Sequence, residues 1–172
     1  MELSIALRAV PFITANTGSG SAEEAAAWAT YFNSVGFPVQ FWEVGNEPYF
    51  LGINEVGVIG LTPDAYAAMF IDYATQIRAV SPGSKIFAAG LVGPDAQESF
   101  WNSVMLGIAG PHVDGLSLHN AYAPLYAYTP ERTVPSEEYV YTAMFGATKA
   151  FEGSLNDVVD ETARRGRLIP IF

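Results

Sequence analysis

Asn46, Glu47 and Pro48 directly follow a hydrophobic run, Val39 to Val44, that predicts a buried β-strand. A carboxyl group fixed at a strand end can give a proton to a bound ligand and later take one back. That is the behaviour of a general acid and base. The alternative is that Glu47 is a solvated loop acid or caps the next segment, and spacing alone leaves both interpretations open.

Polar side chains also follow two other predicted strands, at 10–14 and 115–119. They are Asn16, His119, Asn120 and Tyr122. Together with Asn46 and Glu47 they form a mixed donor and acceptor set, which suits the hydroxyl groups of a sugar. His119 could equally be a hydrogen-bonded core histidine. Aromatic side chains that could stack on a sugar ring are Trp42, Tyr49, Phe50, Tyr122, Tyr126 and Tyr128.

The chain alternates between predicted strands and predicted helices. Strands are predicted at 10–14, 39–44, 85–89, 115–119 and 168–172, and helices at 21–33, 62–80, 97–108 and 136–165. Ser21 and Glu24 form a capping-box pattern, and we expect the last helix to break near Gly146 or Gly153. This order predicts an α/β fold with parallel strands in their sequence order.

Two layouts fit that pattern, an open doubly wound sheet and part of a (β/α)8 barrel. A complete barrel needs roughly 250 residues, so this chain of 172 residues would hold about half of one. In both layouts ligands bind beyond the carboxyl ends of the strands. We therefore expect the polar side chains at the strand ends to share one rim.

The heptapeptide Trp42-Glu43-Val44-Gly45-Asn46-Glu47-Pro48 resembles the acid/base strand of retaining glycoside hydrolases of the large (β/α)8 clan. The α-L-arabinofuranosidases are the most similar members, and the β-xylosidase-like families come next. The similarity continues in "PFITANTGSGSAEEAAAW", "LTPDAYAAMFIDYATQIRAVSPGSKIFAAG", "VDGLSLHNAY" and "RLIPIF". It implies that residues 1–172 form a single partial catalytic domain, a partial (β/α)8 TIM barrel with about strands 3 to 7 and the intervening helices.

The resemblance also implies a role for each matching residue. Glu47 would be the acid/base of a carbohydrate hydrolase, and Asn46 would contact the sugar 2-hydroxyl. His119 and Tyr122 would line the subsite of the cleaved sugar, and Asn16 would add a further polar contact. Retaining chemistry needs a second carboxylate, the nucleophile, about 5 to 5.5 Å from the first. In the family it stands at the end of the seventh strand, so the resemblance implies that it lies beyond Phe172. Asp95 is the nearest candidate within the chain, and its loop position does not match.

Because this second carboxylate is expected outside residues 1–172, we interpret the isolated chain as an incomplete and inactive enzyme. The alternative is a non-catalytic carbohydrate-binding module, or a remnant, with the same fold. The buried acid Glu43 lies within the same strand, and we expect a structural ion pair there rather than chemistry.

The composition of the chain limits the classes of partner that we expect it to bind. The net charge of −10 disfavours nucleic acid and anionic membrane surfaces, and a neutral glycoside or oligosaccharide is easier to reconcile. His112 and His119 lack metal-ligand spacing, there is no cysteine, and no phosphate-binding glycine motif follows a strand, so we expect neither a metal nor a cofactor. Met1 to Ser4 do not begin a signal peptide, which leaves the compartment open. An incomplete barrel also predicts self-association through its exposed edges.

Overall fold

The computed structural model describes residues 2–49, 60–91, 96–119, 136–166 and 169–171. Strands and helices alternate within those ranges, as the sequence pattern predicts. In chain order they are α1 (Glu2–Leu7), β1 (Phe12–Ala15), α2 (Ala22–Ser34), β2 (Phe41–Val44), α3 (Pro63–Val80), β3 (Lys85–Leu91), α4 (Ala96–Ala109), a 3₁₀ turn (Gly110–His112), β4 (Gly115–His119) and α5 (Glu137–Arg164).

The four strands form one parallel sheet in the order β1-β2-β3-β4. A parallel bridge between Leu116 and Ile171 adds the start of a further strand beside β4. The predicted spatial order of all five strand segments is therefore confirmed. Two strands begin later than predicted, at Phe12 and Phe41; Pro11, which has no N–H group for a ladder bond, immediately precedes the first of them.

The two faces of the sheet differ in a way that favours the barrel over the doubly wound layout. The helices pack side by side in chain order, α2 on α3, α3 on α4 and α4 on α5, as one outer layer. Phe12, Phe41 and Phe87 meet on the opposite face with ring centroids 5.1–6.4 Å apart. A Cβ at Gly115 would lie 2.2 Å from the Phe87 ring, so this face needs a glycine there.

Helix ends follow from local chemistry. The Ser21 hydroxyl accepts a hydrogen bond from the Glu24 N–H (3.2 Å), which confirms the predicted start of α2. Gly166, with φ of +72°, ends α5 in the left-handed conformation that favours glycine.

Two helix predictions need correction. Helix α5 is continuous from Glu137 to Arg164, so the predicted break near Gly146 or Gly153 is wrong. A helical glycine costs only about 1 kcal/mol relative to alanine, which a long helix tolerates. Helix α1 was not predicted, because six residues are too few for a periodic pattern; Leu3, Ile5 and Leu7 all remain exposed.

Within the described ranges, no helix combines the length and the apolar composition that crossing a bilayer requires.

Candidate active site at the carboxyl ends of the strands

The parallel register brings the carboxyl ends of the strands to one rim. Ala15 pairs with Val44 at the ends of β1 and β2, and Leu91 pairs with His119 at the ends of β3 and β4. The strands that precede Asn16 and Glu47 and the strand that ends at His119 thus finish at the same edge of the sheet. The expectation that these elements share one rim is confirmed.

Glu47 lies in an unusual backbone conformation directly after β2. Its φ is +48°, a region that non-glycine residues adopt uncommonly and at a cost. Gly45, two residues earlier, has φ of +76°, and a Cβ there would lie 2.6 Å from the Thr17 hydroxyl. Asn46 and Glu47 are both half-buried. The chain therefore leaves the sheet through a tight left-handed turn that carries the candidate acid.

The turn is fixed on both sides by backbone hydrogen bonds. The Gly45 N–H bonds the Ala15 carbonyl (3.1 Å), and the Pro48 carbonyl accepts from the Leu61 N–H (2.8 Å). Pro48 is buried. Such anchoring offsets the strain at Glu47 and restricts where its side chain can point.

Asn16 shapes its own loop. Its carboxamide oxygen accepts hydrogen bonds from the N–H groups of Gly18 (3.0 Å) and Ser19 (3.2 Å), and its amide group donates to the Ser19 hydroxyl (2.9 Å). The Tyr73 hydroxyl donates to the Asn16 carbonyl (2.8 Å). These contacts give Asn16 a structural role in the loop after β1, and the predicted sugar contact stays a prediction.

Glu43 is buried on the inner side of β2, with 5% of its surface exposed. Its carboxylate accepts a hydrogen bond from the hydroxyl of Thr14 (2.8 Å), which lies directly opposite on β1. This contact is with a neutral hydroxyl, and the predicted ion pair of Glu43 stays a prediction. A hydrogen bond across the strand pair contributes to satisfying the buried acid.

The aromatic side chains of this region only partly match the sugar-stacking prediction. Trp42 is 1% exposed, and its ring packs against Phe32 in the helical layer. The prediction that Trp42 could stack on a sugar ring at the rim is therefore wrong. Tyr49 packs edge-on against Trp101 of α4, with centroids 5.3 Å apart. Phe50, Tyr126 and Tyr128 lie outside the described residues.

Tyr66, a buried residue of α3, contacts the end of β2. The Tyr66 hydroxyl donates to the Val44 carbonyl (2.8 Å) and accepts from the Ala89 N–H (2.8 Å). Burial raises the pKa of Tyr66 far above its ordinary value of 10.0, with a smaller contribution from the charge of Glu43, so the phenol keeps its proton. Helical spacing in the sequence predicts that Tyr66 lies on the core face of α3, but it does not reveal which backbone groups the hydroxyl bonds.

Four other candidate positions cannot be described in full. The backbone of His119 ends β4, and its side chain lies outside the described part of the structure. Tyr122 and Asp95 also lie outside the described residues, as does Asn120. Among the residues that are described, no group of three or more His, Asp or Glu side chains comes together to hold a metal ion.

The chain resembles known proteins in sequence and in fold. No family model matches the chain. An intracellular exo-α-L-arabinofuranosidase of Bacteroides ovatus is 28% identical over 125 residues, which are 63% of this chain and 23% of that protein. The chain therefore spans less than a quarter of the length of this relative.

Solved structures match along almost the whole chain. A family 51 arabinofuranosidase of Xanthomonas axonopodis pv. citri has a TM-score of 0.76 at 21% identity, covering 99% of this chain and 36% of that one. An α-L-arabinofuranosidase of Thermotoga maritima, solved as an arabinose complex, has a TM-score of 0.61 at 25% identity and the same 99% coverage, with 35% of that chain. The four parallel strands with their helices match a partial TIM-barrel region of these structures.

Proposed function

From the relation of this chain to the family 51 α-L-arabinofuranosidases, we propose that residues 1–172 are part of the catalytic barrel of a retaining glycoside hydrolase. The substrate class would be a glycoside or oligosaccharide with arabinofuranosyl groups. The observation that carries the proposal is the strained turn after β2, which fixes Asn46 and Glu47 at the carboxyl rim of a parallel sheet. Strain of this kind persists where the surrounding structure imposes it, and it clusters at active sites.

Glu47 is the general acid and base of this proposal. Its carboxyl group gives a proton to the glycosidic oxygen as the bond to the anomeric carbon breaks, and a second carboxylate attacks that carbon. In the next step the Glu47 carboxylate takes a proton from water. The water oxygen then bonds to the anomeric carbon and releases the second carboxylate, which regenerates both groups.

The second carboxylate is placed outside residues 1–172. Glu43, the other acid on β2, lies within the strand and is hydrogen-bonded to Thr14, whereas the resemblance assigns the nucleophile to the end of the seventh barrel strand. The isolated chain should therefore hydrolyse aryl arabinofuranosides at the background rate.

Asn46 completes the proposed acid/base segment. It follows Gly45 in the same turn and is half-buried, so its carboxamide is held beside Glu47 in the chain. We assign it to the sugar 2-hydroxyl, where hydrogen bonds strengthen in the transition state. His119 and Tyr122 are assigned to the subsite of the cleaved sugar, with Asn16 at its edge. The net charge of −10 is compatible with such a neutral ligand.

The test uses a full-length enzyme that carries this segment in its barrel. Glu47→Gln keeps the shape of the side chain and removes the acid. Hydrolysis of an arabino-oligosaccharide should fall about 10²–10⁴-fold, the usual size of general acid–base assistance. Aryl substrates with good leaving groups need less protonation, so their glycosylation step should be affected less. Azide, which needs no base, should restore part of the turnover.

Glu152→Gln provides the matched control, because Glu152 is an exposed acid on α5. It should leave every rate unchanged. Unchanged hydrolysis of the oligosaccharide by Glu47→Gln would make Glu47 a loop acid and end the proposal. Sugar binding without turnover in the full-length protein would favour the non-catalytic module instead.

A further inference from the structure

The parallel ladder between β2 and β3 ends at the point where the chain turns towards Glu47. The ladder opens with the Lys85 N–H bonded to the Gln40 carbonyl (2.8 Å). Hydrogen bonds of this kind recur every two residues in a parallel pair, so the next position for one lies between the Val44 carbonyl and the Ala89 N–H, just past the last paired residues, Val44 and Ala88. The Tyr66 hydroxyl lies between these two groups instead, donating to the Val44 carbonyl and accepting from the Ala89 N–H, each at 2.8 Å.

Trp101 of α4 bonds the other backbone group of Ala89. Its indole N–H donates to the Ala89 carbonyl (3.0 Å), so side chains from α3 and α4 bond both backbone groups of Ala89. The rings of Tyr66 and Trp101 stack with centroids 5.3 Å apart. Both side chains are buried, at 0% and 4% exposure.

The same pair of rings contacts both ends of the turn that carries Glu47. Val44, at the start, is held through its carbonyl by Tyr66, and Tyr49, at the end, packs its ring against Trp101 at 5.3 Å. Between these two anchors the chain passes through the positive φ angles of Gly45 and Glu47. A turn in a strained conformation needs fixed ends, since otherwise it relaxes to a more populated conformation.

We infer that Tyr66 and Trp101 are positioning residues, which hold the Gly45–Pro48 turn so that the Glu47 carboxyl group meets the glycosidic oxygen. The inference rests on the proposed function. Neither residue touches the substrate; both act through the backbone of Val44 and Ala89 and through the ring of Tyr49. Because proton transfer is sensitive to geometry, loosening the turn should affect the acid step more than substrate binding.

Tyr66→Phe in the full-length enzyme tests the inference, since it removes one hydroxyl group and keeps the ring. For a substrate with a poor leaving group, kcat should fall roughly 10- to 100-fold, the range expected for a misplacement of up to about 1 Å. KM should stay within about twofold, because binding of the sugar is left intact. The fall in kcat/KM, which reports the glycosylation step, should be several times smaller for a dinitrophenyl glycoside, whose departure needs little proton donation.

Ser84→Ala is the matched control. The Ser84 hydroxyl is also buried and donates to a backbone carbonyl, that of Val39 (2.8 Å), at the opposite end of the same two strands. Ser84→Ala should lower the melting temperature and leave the ratio of kcat/KM between poor and good leaving groups unchanged. If Tyr66→Phe behaves in the same way, Tyr66 is a structural core residue and the inference is wrong.

Trp101→Phe decides the matter if Tyr66→Phe does not fold. It removes the indole donor to Ala89, and it should steepen the leaving-group dependence with KM unchanged; an unchanged dependence would overturn the inference.

Glu47→Gln separates the two proposals. A large loss in Glu47→Gln with no change in leaving-group dependence in Tyr66→Phe or Trp101→Phe refutes only the positioning role. Full activity of Glu47→Gln refutes the proposed function itself.

Discussion

Glu47 combines a strained backbone with a candidate catalytic side chain. A φ of +48° costs a residue with a Cβ on the order of 1–2 kcal/mol, and a glycine adopts it freely. A glutamate at such a position is poorly explained by stability alone. The cost is understandable if the carboxyl group is needed there, because proteins retain local strain where function requires a particular geometry.

The strain can be measured through Glu47→Gly. Relative to Glu47→Gln, which keeps the Cβ, the glycine variant should be more stable by about 0.5–1 kcal/mol, since relief of the left-handed φ outweighs the greater flexibility of glycine in the unfolded chain. Urea unfolding of the 172-residue chain gives the difference. Glu152→Gly, in the middle of α5, should have the opposite sign by about 1 kcal/mol. A glycine variant less stable than Glu47→Gln would show that the turn is unstrained.

Sequence and structure agree at Glu47 and diverge at its neighbours. The heptapeptide from Trp42 to Pro48 was sufficient to place an acid at the end of a strand. It did not reveal that Trp42 packs into the helical layer, because a strand that is apolar on both faces does not show which face meets the helices. Nor did it reveal that Tyr49 packs against Trp101, because the sequence does not give the direction in which a side chain leaves an irregular turn. The identity of residue 47 as a glutamate also gives no indication that its backbone adopts a left-handed φ.

At the scale of elements, the strands were predictable because each is a short apolar run bounded by turn residues. The four strands and the bridged segment at Ile171 lie in the predicted order, since parallel βα units admit few topologies. Elements whose pattern is weak were not predictable: α1 is too short, and the glycines of α5 suggested a break that the helix does not have. The contacts of Tyr66 and Trp101 join elements distant in sequence and could not be read from periodicity.

Asp114 joins three elements at the end of the sheet opposite to Glu47. Its carboxylate accepts hydrogen bonds from the Ile86 N–H (2.9 Å) of β3 and from Arg78 of α3, and Lys85 lies 3.4 Å away. Arg78 also donates to the His112 carbonyl (2.8 Å). Burial alone would raise the pKa of Asp114, but these donors and cations lower it below its ordinary value of 3.8.

Replacement of this carboxylate should make the stability less dependent on pH. A carboxyl group whose folded pKa is lowered contributes stability above its unfolded pKa and loses it as the pH falls through the folded value. Asp114→Asn should therefore cost about 1–2 kcal/mol at pH 7. The difference from wild type should shrink as the pH falls from about 5 to below 3, as followed by urea unfolding. A difference in the free energy of unfolding between Asp114→Asn and wild type that is constant with pH would contradict the linkage.

At the scale of the whole molecule, the described structure is a segment of barrel wall with exposed apolar surface near β1. Trp28 and Tyr31 of α2 and Val35, which directly follows the helix, lie at spacings of three and four residues and are 52–55% exposed. Beside them, an apolar cleft of about 300 Å³ is lined by side chains of β1, β2 and α2, including Ile13, Phe32 and Trp42. An apolar stripe that is exposed to water predicts association.

Self-association of the 172-residue chain should therefore depend on the α2 stripe. The weight-average mass from sedimentation equilibrium should rise with concentration for wild type and stay monomeric for Trp28→Lys/Tyr31→Lys. The two lysines reduce the net negative charge, which by itself would favour association, so loss of association would identify the lost apolar contacts as the cause. Ala65→Lys/Ala68→Lys adds the same charge to exposed positions of α3 and should associate like wild type. A wild-type chain that stays monomeric at every concentration, or a control that dissociates to the same extent as the α2 variant, would show that the stripe does not hold copies together.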